Sequence, residues 1–315
     1  MRLQPRYART RRAAAAAAVA AAALAAAGCN RSAPAPAGSS HSHARFAVVA
    51  AENFWGSIAE QIAGDRASVR SIVVNPEADP HSYQPNAQDA RLVASANMVL
   101  VNGVGYDEWA HQLIQGSPSA ARTVLDVGAL LRLPGGANPH RWYFPRDVRA
   151  VVGAILADYQ RIDPADAAYF AGRVRLLLSS GFARYDQLRS QIRARFRGVP
   201  VGYSESIFQG LGEDLGLRLL TPYSFARAIS EGTDVTAADK EAVDAQVSGH
   251  RIRVWVLNSQ NVTPDVQRVD ELARAAGIPA ATVTETLSPA SDTFQHWQVT
   301  QLEGLERALH AGTGR

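Results

Sequence analysis

A stretch without proline from residue 165 to residue 196 is the feature that most restricts the fold of this chain. Its apolar residues recur at steps of three and four, as an amphipathic helix requires. They are Leu176, Leu177, Phe182, Tyr185, Leu188, Ile192 and Phe196. A helix of about 30 residues is roughly 45 Å long, which is longer than one domain of ordinary size needs. We therefore expect it to connect two lobes.

Short apolar segments alternate with amphipathic ones on both sides of this helix. Strands are predicted at 46–50, 69–74, 98–101, 123–127, 200–203, 218–220, 252–258 and 281–284, and helices at 55–63, 88–96, 146–159, 207–215, 263–276 and 297–311. Such alternation favours parallel sheets covered by helices. The predicted fold is α/β, with two Rossmann-like lobes joined by a long rigid helix. We place the N-terminal lobe at 45–160, the connecting helix at 161–198 and the C-terminal lobe at 199–315.

The first 28 residues have the pattern of an export signal. Residues 1–12 hold five arginines and no acid, and residues 13–27 are alanine, valine and leucine only. A basic segment followed by a short apolar one is typical of a secretory signal peptide, and an apolar run of this length is too short to span a bilayer comfortably. We predict a signal peptide at 1–28 and a flexible linker at 29–44.

Cys29 is the only cysteine and directly follows Ala26-Ala27-Gly28. This segment resembles a bacterial lipoprotein cleavage box, with alanine where leucine is usual. The resemblance implies that Cys29 becomes the acylated N-terminus and anchors the exported protein to the outer face of the membrane. The alternative is an ordinary cleavage site beside an incidental cysteine, which would leave the protein free in the periplasm.

Removal of the leader changes the balance of charge. The whole chain has a formal net charge of +3, whereas residues 29–315 hold 27 basic and 29 acidic residues, a net charge of −2. The basic isoelectric point therefore belongs to the leader. A basic face for nucleic-acid binding is not expected.

Four polar segments follow predicted strands. They are residues 75–85 with His81, residues 138–142 with His140, residues 202–206 with Glu205, and residues 284–289 with Glu285. Ligands of open α/β sheets bind beyond the carboxyl ends of the strands, so two facing lobes would bring all four segments to one cleft. Two imidazoles and two carboxylates suit zinc, and also manganese or iron where the carboxylates are bidentate. From spacing alone, structural histidines remain the alternative.

Asp79-Pro80-His81-Ser82-Tyr83-Gln84-Pro85 and Asn138-Pro139-His140-Arg141-Trp142 resemble the two signature loops of the zinc- and manganese-type solute-binding proteins of ABC importers. The resemblance extends over nearly the whole mature chain. It implies that His81 and His140 ligate one divalent ion between two lobes, and Ser204-Glu205-Ser206 matches the version of the third loop that carries glutamate.

Two positions depart from the pattern of this family. The fourth ligand is usually an aspartate between threonine and serine, but here Glu285 stands between Thr284 and Thr286, and Asp292 is a nearby substitute. Phe144 stands where an aspartate is common in the family, and we expect this difference to have no effect on metal binding.

The resemblance also implies the cargo and the partners. The cargo is one Zn²⁺ or Mn²⁺ ion, with Fe²⁺ ranked below them, and metal affinity should fall below the ordinary histidine pKa of about 6.5. The implied partners are a membrane permease and a separate ATPase. The chain itself lacks a P-loop, since its only lysine, Lys240, follows Ala237-Ala238-Asp239. We expect a monomer that is not an enzyme and that closes only modestly over the ion.

Three alternatives remain at this point. A metal-dependent hydrolase would keep an open coordination position, but no His-Glu-x-x-His segment is present. A surface adhesin-type lipoprotein would bind no transported ion, and the same scaffold could also carry a chelate or an organic ligand. His41 and His43 in the linker are interpreted as incidental. His111, His250, His296 and His310 are interpreted as structural or surface residues.

Overall fold

The computed structural model describes residues 46–76 and 80–315, which belong to one compact unit. The predicted signal peptide, the linker with its two histidines and the acylation site Cys29 lie outside the described residues, as does Asp79 of the first histidine loop. In the described part of the chain, no helix combines the length and the apolar character needed to cross a membrane.

The N-terminal half is a parallel four-stranded sheet with helices. It contains β1 (Phe46–Glu52), α1 (Asn53–Ala63), β2 (Ala67–Val73), α2 (Ala87–Ser95), β3 (Met98–Val101), α3 (Glu108–Gly116), β4 (Thr123–Asp126), α4 (Val127–Leu130) and α5 (Pro145–Ile162). The strand order is β2-β1-β3-β4, and every pairing is parallel. The central strands are continuous apolar runs, because helices cover both faces of a parallel sheet.

The C-terminal half repeats this arrangement after the connecting helices α6 (Ala167–Leu176) and α7 (Ala183–Phe196). It contains β5 (Pro200–Tyr203), α8 (Gln209–Asp214), β6 (Arg218–Leu219), α9 (Tyr223–Ser230), α10 (Ala237–Ser248), β7 (Val254–Asn258), α11 (Pro264–Ala275), β8 (Ala280–Val283) and α12 (Phe294–Thr313). The strand order, β6-β5-β7-β8, is again parallel throughout. The prediction of two parallel α/β sheets is confirmed, and the predicted strands begin and end within two residues of the observed ones.

The connecting helix is bent. A π-helical segment, Leu177–Gly181, separates α6 from α7, and the amide of Phe182 donates to the carbonyl oxygen of Leu177 at 2.8 Å. This five-residue spacing inserts an extra residue into the turn and changes the direction of the helix. The predicted long helix is therefore present from Ala167 to Phe196, but it is bent at this turn and not straight.

The apolar side of the connecting helix is buried. Tyr185, Leu188 and Ile192 belong to one hydrophobic core that includes strand residues of both sheets. The core thus continues from one half of the protein into the other. The helices α3, α4, α9 and α10 were not predicted, and the residue limits of the two lobes stay a prediction.

Phe144, directly after the second histidine loop, lies against α8 of the other half. A Cβ atom added to Gly210 would be 2.5 Å from Cδ2 and Cε2 of Phe144, so the ring packs directly on the backbone of this glycine. The guanidinium carbon of Arg141 lies 3.7 Å from the centroid of the same ring. Phe144 is therefore a packing residue between the halves.

We expect Gly210→Ala to lower the free energy of unfolding by about 1–3 kcal/mol, because overpacking forces ring and backbone apart. The matched control is Gly153→Ala in α5, where the position is exposed and a Cβ would meet no atom within 4 Å. That change should stabilise the protein by about 0.5–1 kcal/mol, since alanine favours helix over glycine. Chemical denaturation measures both, and shifts of the same sign would contradict the packing described for Phe144.

Candidate metal centre

His81 comes from the turn Pro80–Ser82, which follows β2 in the N-terminal half. The indole Nε1–H of Trp109 in α3 donates to the carbonyl oxygen of Pro80 at 3.2 Å and fixes this turn. The imidazole of His81 packs against the Tyr106 ring, with centroids 4.4 Å apart. His81 is half-buried, so it is the member of the predicted set that solvent can reach.

His140 lies one residue before the turn Arg141–Tyr143 and is fully buried. Its backbone N–H donates to Asn138 Oδ1 at 3.0 Å, and its Nδ1 lies 2.8 Å from the same oxygen. Because Oδ1 is an acceptor, Nδ1 carries the proton and Nε2 presents its lone pair. Asn138 Nδ2 donates to the carbonyl oxygen of Ser206 at 2.7 Å, which ties this loop to the C-terminal half.

Glu205 and Glu285 follow β5 and β8, and both are buried. Nε2 of His140 lies 3.6 Å from Oε1 of Glu205 and 3.5 Å from Oε2 of Glu285. Parallel strands deliver their carboxyl ends to one edge of a sheet, which is why these two acids meet. Each therefore presents one oxygen to the same imidazole nitrogen.

The structure brings three of the four predicted ligands together, and the fourth, Glu205, approaches one of them. His81, His140 and Glu285 each offer a ligand atom, and these atoms lie within 4.8 Å of one another. Glu205 joins them through its 3.6 Å approach to His140. The donor types suit a divalent transition metal.

Asp292, the alternative fourth ligand, has other partners. Its carboxylate lies 2.7 Å from Nδ1 of His296, and its Oδ1 accepts from the amide of Thr293 at 2.7 Å. His111 likewise lies 3.5 Å from a carboxylate oxygen of Asp126. These contacts agree with the structural interpretation of His111 and His296.

Two residues that sequence reasoning missed hold the acids in place. The Tyr106 hydroxyl donates to Oε2 of Glu285 at 2.9 Å. Asn258, the last residue of β7, donates from Nδ2 to Oε2 of Glu205 and to Oε1 of Glu285. Asn258 ends a buried strand and Tyr106 lies in the loop after β3, so the sequence places each near a sheet edge, but neither segment indicates the carboxylate that it meets.

The site concentrates negative charge away from water. Burial raises the pKa of Glu205, and the neighbouring charge of Glu285 raises it further. Burial, Asp107 and Glu285 likewise raise the pKa of Glu52, whose two carboxyl oxygens have no hydrogen-bond partner among the described residues. Burying carboxylates without a compensating cation is costly, so a bound cation would stabilise this arrangement.

The two histidines differ in their surroundings. Burial lowers the pKa of His140 to about 4, against the raising effect of Glu205. This imidazole therefore stays neutral well below pH 6.5, and the expected loss of metal affinity moves to lower pH as far as His140 is concerned. A cavity of about 260 Å³, lined by residues of both halves such as Gly105 and Tyr223, opens beside His81.

These features define a class: an α/β protein of two parallel sheets with a buried cluster of histidines and carboxylates, the donor types that bind divalent metal ions. A family model described as zinc-uptake complex component A, periplasmic, matches residues 48–308. The chain belongs to this family, and the predicted resemblance is confirmed. The family consists of substrate-binding transport proteins, not enzymes.

Individual proteins to which the chain is similar are also described as metal-binding proteins. The manganese-binding lipoprotein MntA of Halalkalibacterium halodurans is 24% identical over 253 residues, which cover 76% of this chain and 71% of that protein. The iron-binding protein YfeA of Yersinia pestis is 28% identical over 186 residues, 55% of this chain and 58% of YfeA. A metal-free periplasmic metal binding protein from Candidatus Liberibacter asiaticus shares the fold, with a TM-score of 0.71, 19% identity and coverage of 84% and 100%.

We expect Glu205→Gln to stabilise the metal-free protein at neutral pH. The folded-state pKa of Glu205 is raised, so the folded wild type holds a proton that the unfolded chain releases, and stability falls as pH rises above the ordinary value of about 4.5. Glutamine cannot ionise, so the advantage of the variant should grow from pH 5 to pH 8 and disappear near pH 4.

Thermal unfolding of metal-free protein across this pH range measures the effect. The control is Glu241→Gln at an exposed position of α10, which should follow the wild type at every pH. A Glu205→Gln curve parallel to the wild-type curve would show that burial does not penalise this carboxylate.

Proposed function

We propose that this protein is the extracytoplasmic component of an ABC importer that captures a divalent transition-metal ion, with His81, His140, Glu205 and Glu285 as ligands. The observation that carries the proposal is the meeting of these groups around His140 Nε2. This nitrogen and Oε1 of Glu205 are buried and have no hydrogen-bond partner among the described residues. An ion bound between them would satisfy both atoms and neutralise the buried acids.

The cargo we propose is zinc or manganese. The family is described by zinc uptake, and MntA by manganese binding. The donor set supports both, because two histidines and two carboxylates give four coordination positions when each acid uses one oxygen and more when it uses two. A permease and an ATPase would complete the importer.

The proposed location is the outer face of the cell membrane or the periplasm. An N-terminal export signal and acylation at Cys29 would place it there, as in the relative named a lipoprotein. We propose a monomer, because one chain contains the whole set of four ligands. The hydrolase and adhesin alternatives are not favoured by any observation of this site.

Metal analysis of the purified protein, followed by competitive titration with Zn²⁺ and Mn²⁺, tests the proposal. One equivalent of metal should bind, and His81→Ala should weaken binding by more than about 100-fold, since even residues that only support metal ligands contribute 10–100-fold. His111→Ala is the control, because His111 contacts Asp126 outside the cluster, and it should leave affinity unchanged.

A second pair of variants identifies the fourth ligand. Glu285→Gln should weaken binding as strongly as His81→Ala, whereas Asp292→Asn should not, because Asp292 bonds with His296 and Thr293 instead. Thermal shift with saturating metal is the parallel measurement, since an ion at 100 times its Kd adds about 2.7 kcal/mol. Equal effects of the two acid variants, or binding that is indifferent to His81, would contradict the ligand set.

A further inference from the structure

The side chain of Asn258 lies between the two acidic residues of the site. Its Nδ2 is 2.5 Å from Oε2 of Glu205 and 2.8 Å from Oε1 of Glu285. A primary amide nitrogen carries two hydrogens, so one hydrogen is available to each carboxylate. Asn258 is fully buried, and water does not compete for these bonds.

The orientation of this amide is fixed from behind. Oδ1 of Asn258 accepts a hydrogen bond from the backbone amide of Gln260 at 3.1 Å, so the nitrogen must face the carboxylates. The backbone N–H of Asn258 donates to the hydroxyl of Ser204 at 2.9 Å. The residue is thus anchored at the end of β7 by a contact to the residue that precedes Glu205.

The hydrogen bonds of Asn258 divide the four carboxylate oxygens into two pairs. The oxygens bonded to the amide are Oε2 of Glu205 and Oε1 of Glu285. The other two are those that lie 3.6 Å and 3.5 Å from His140 Nε2. Each carboxylate therefore has one oxygen turned toward Asn258 and one turned toward His140, and this second oxygen of Glu285 also accepts from the Tyr106 hydroxyl.

We propose that Asn258 is a positioning residue that keeps Glu205 and Glu285 monodentate and so makes the site select zinc over manganese. The inference rests on the proposed function. With one oxygen from each acid and one nitrogen from each histidine, the ion has four ligands, the coordination number that zinc takes in tetrahedral protein sites. Manganese is favoured by more oxygen ligands in octahedral geometry, which bidentate carboxylates would have to supply.

X-ray absorption spectroscopy of the full chain loaded with Zn²⁺ tests the geometry without any variant. We expect four nitrogen and oxygen neighbours at about 2.0–2.1 Å. Five or six neighbours, with the carboxylate carbon at the short distance of a bidentate group, would overturn the proposal. Because this measurement uses the wild-type chain, it tests the coordination number even if a substitution of Asn258 prevents folding.

Competitive titration of Asn258→Ala with Zn²⁺ and Mn²⁺ tests selectivity. Removal of the amide takes away the bond that holds the second oxygen of each acid toward Asn258 and lets both carboxylates rotate. The ratio of zinc to manganese affinity should therefore fall by about 10-fold or more, as expected for residues that orient metal ligands. The control is Asn261→Ala, in the same loop, whose Nδ2 donates to the carbonyl oxygen of Ile229 and not to the site. It should keep the wild-type ratio.

The results separate the two proposals. If the wild type binds one ion that His140→Ala abolishes, but Asn258→Ala keeps the wild-type ratio, the role of Asn258 is wrong and the proposed function stands. If the wild type binds neither ion, or binding survives His140→Ala, the proposed function fails and the role of Asn258 fails with it.

Discussion

The structure depends on burying carboxylates beside a neutral histidine. Glu205 and Glu285 are buried, and both approach Nε2 of an imidazole whose other nitrogen is committed to Asn138. Without a cation these groups repel one another and resist ionisation, as the raised pKa of Glu205 indicates. The packing of the rest of the protein holds this cluster in place, and an ion bound as we propose would neutralise it.

That packing crosses from one half of the protein to the other. The Tyr143 hydroxyl lies 2.6 Å from Oε1 of Gln301, and the amide of Leu287 donates to Oδ1 of Asn53 at 3.1 Å. In addition to these contacts, one hydrophobic core includes residues of both sheets and of the bent connecting helix. Because the histidines come from one half and the acids from the other, these contacts between the halves also help to set the distances between the proposed ligands.

The strands were predictable because each is a short apolar run bounded by polar or turn-forming residues. Glu205 was proposed as a ligand for a related reason, since a polar residue that follows a buried strand must lie at a sheet edge. The two histidine loops were indicated by their proline-histidine segments and by the family that these resemble. The π-helical segment and the contact of Phe144 with Gly210 were not predictable. Both depend on how residues far apart in the sequence pack together, and no local pattern records that.

Contacts between residues far apart in the sequence also explain why the roles of Asn258 and Tyr106 were not predicted. Each is an ordinary polar residue in its own segment, and its importance arises only from the carboxylate that it meets, which follows a neighbouring strand of the same sheet for Asn258 and belongs to the other half for Tyr106. Two sets of residues determine a site of this kind. The first set provides the atoms that touch the ion, and the second set forms the hydrogen bonds that orient the carboxylates of the first. The first set is chemically distinctive in a sequence. The second set is built from asparagine, tyrosine and serine, so the choice between metals rests on residues that composition and motif do not reveal.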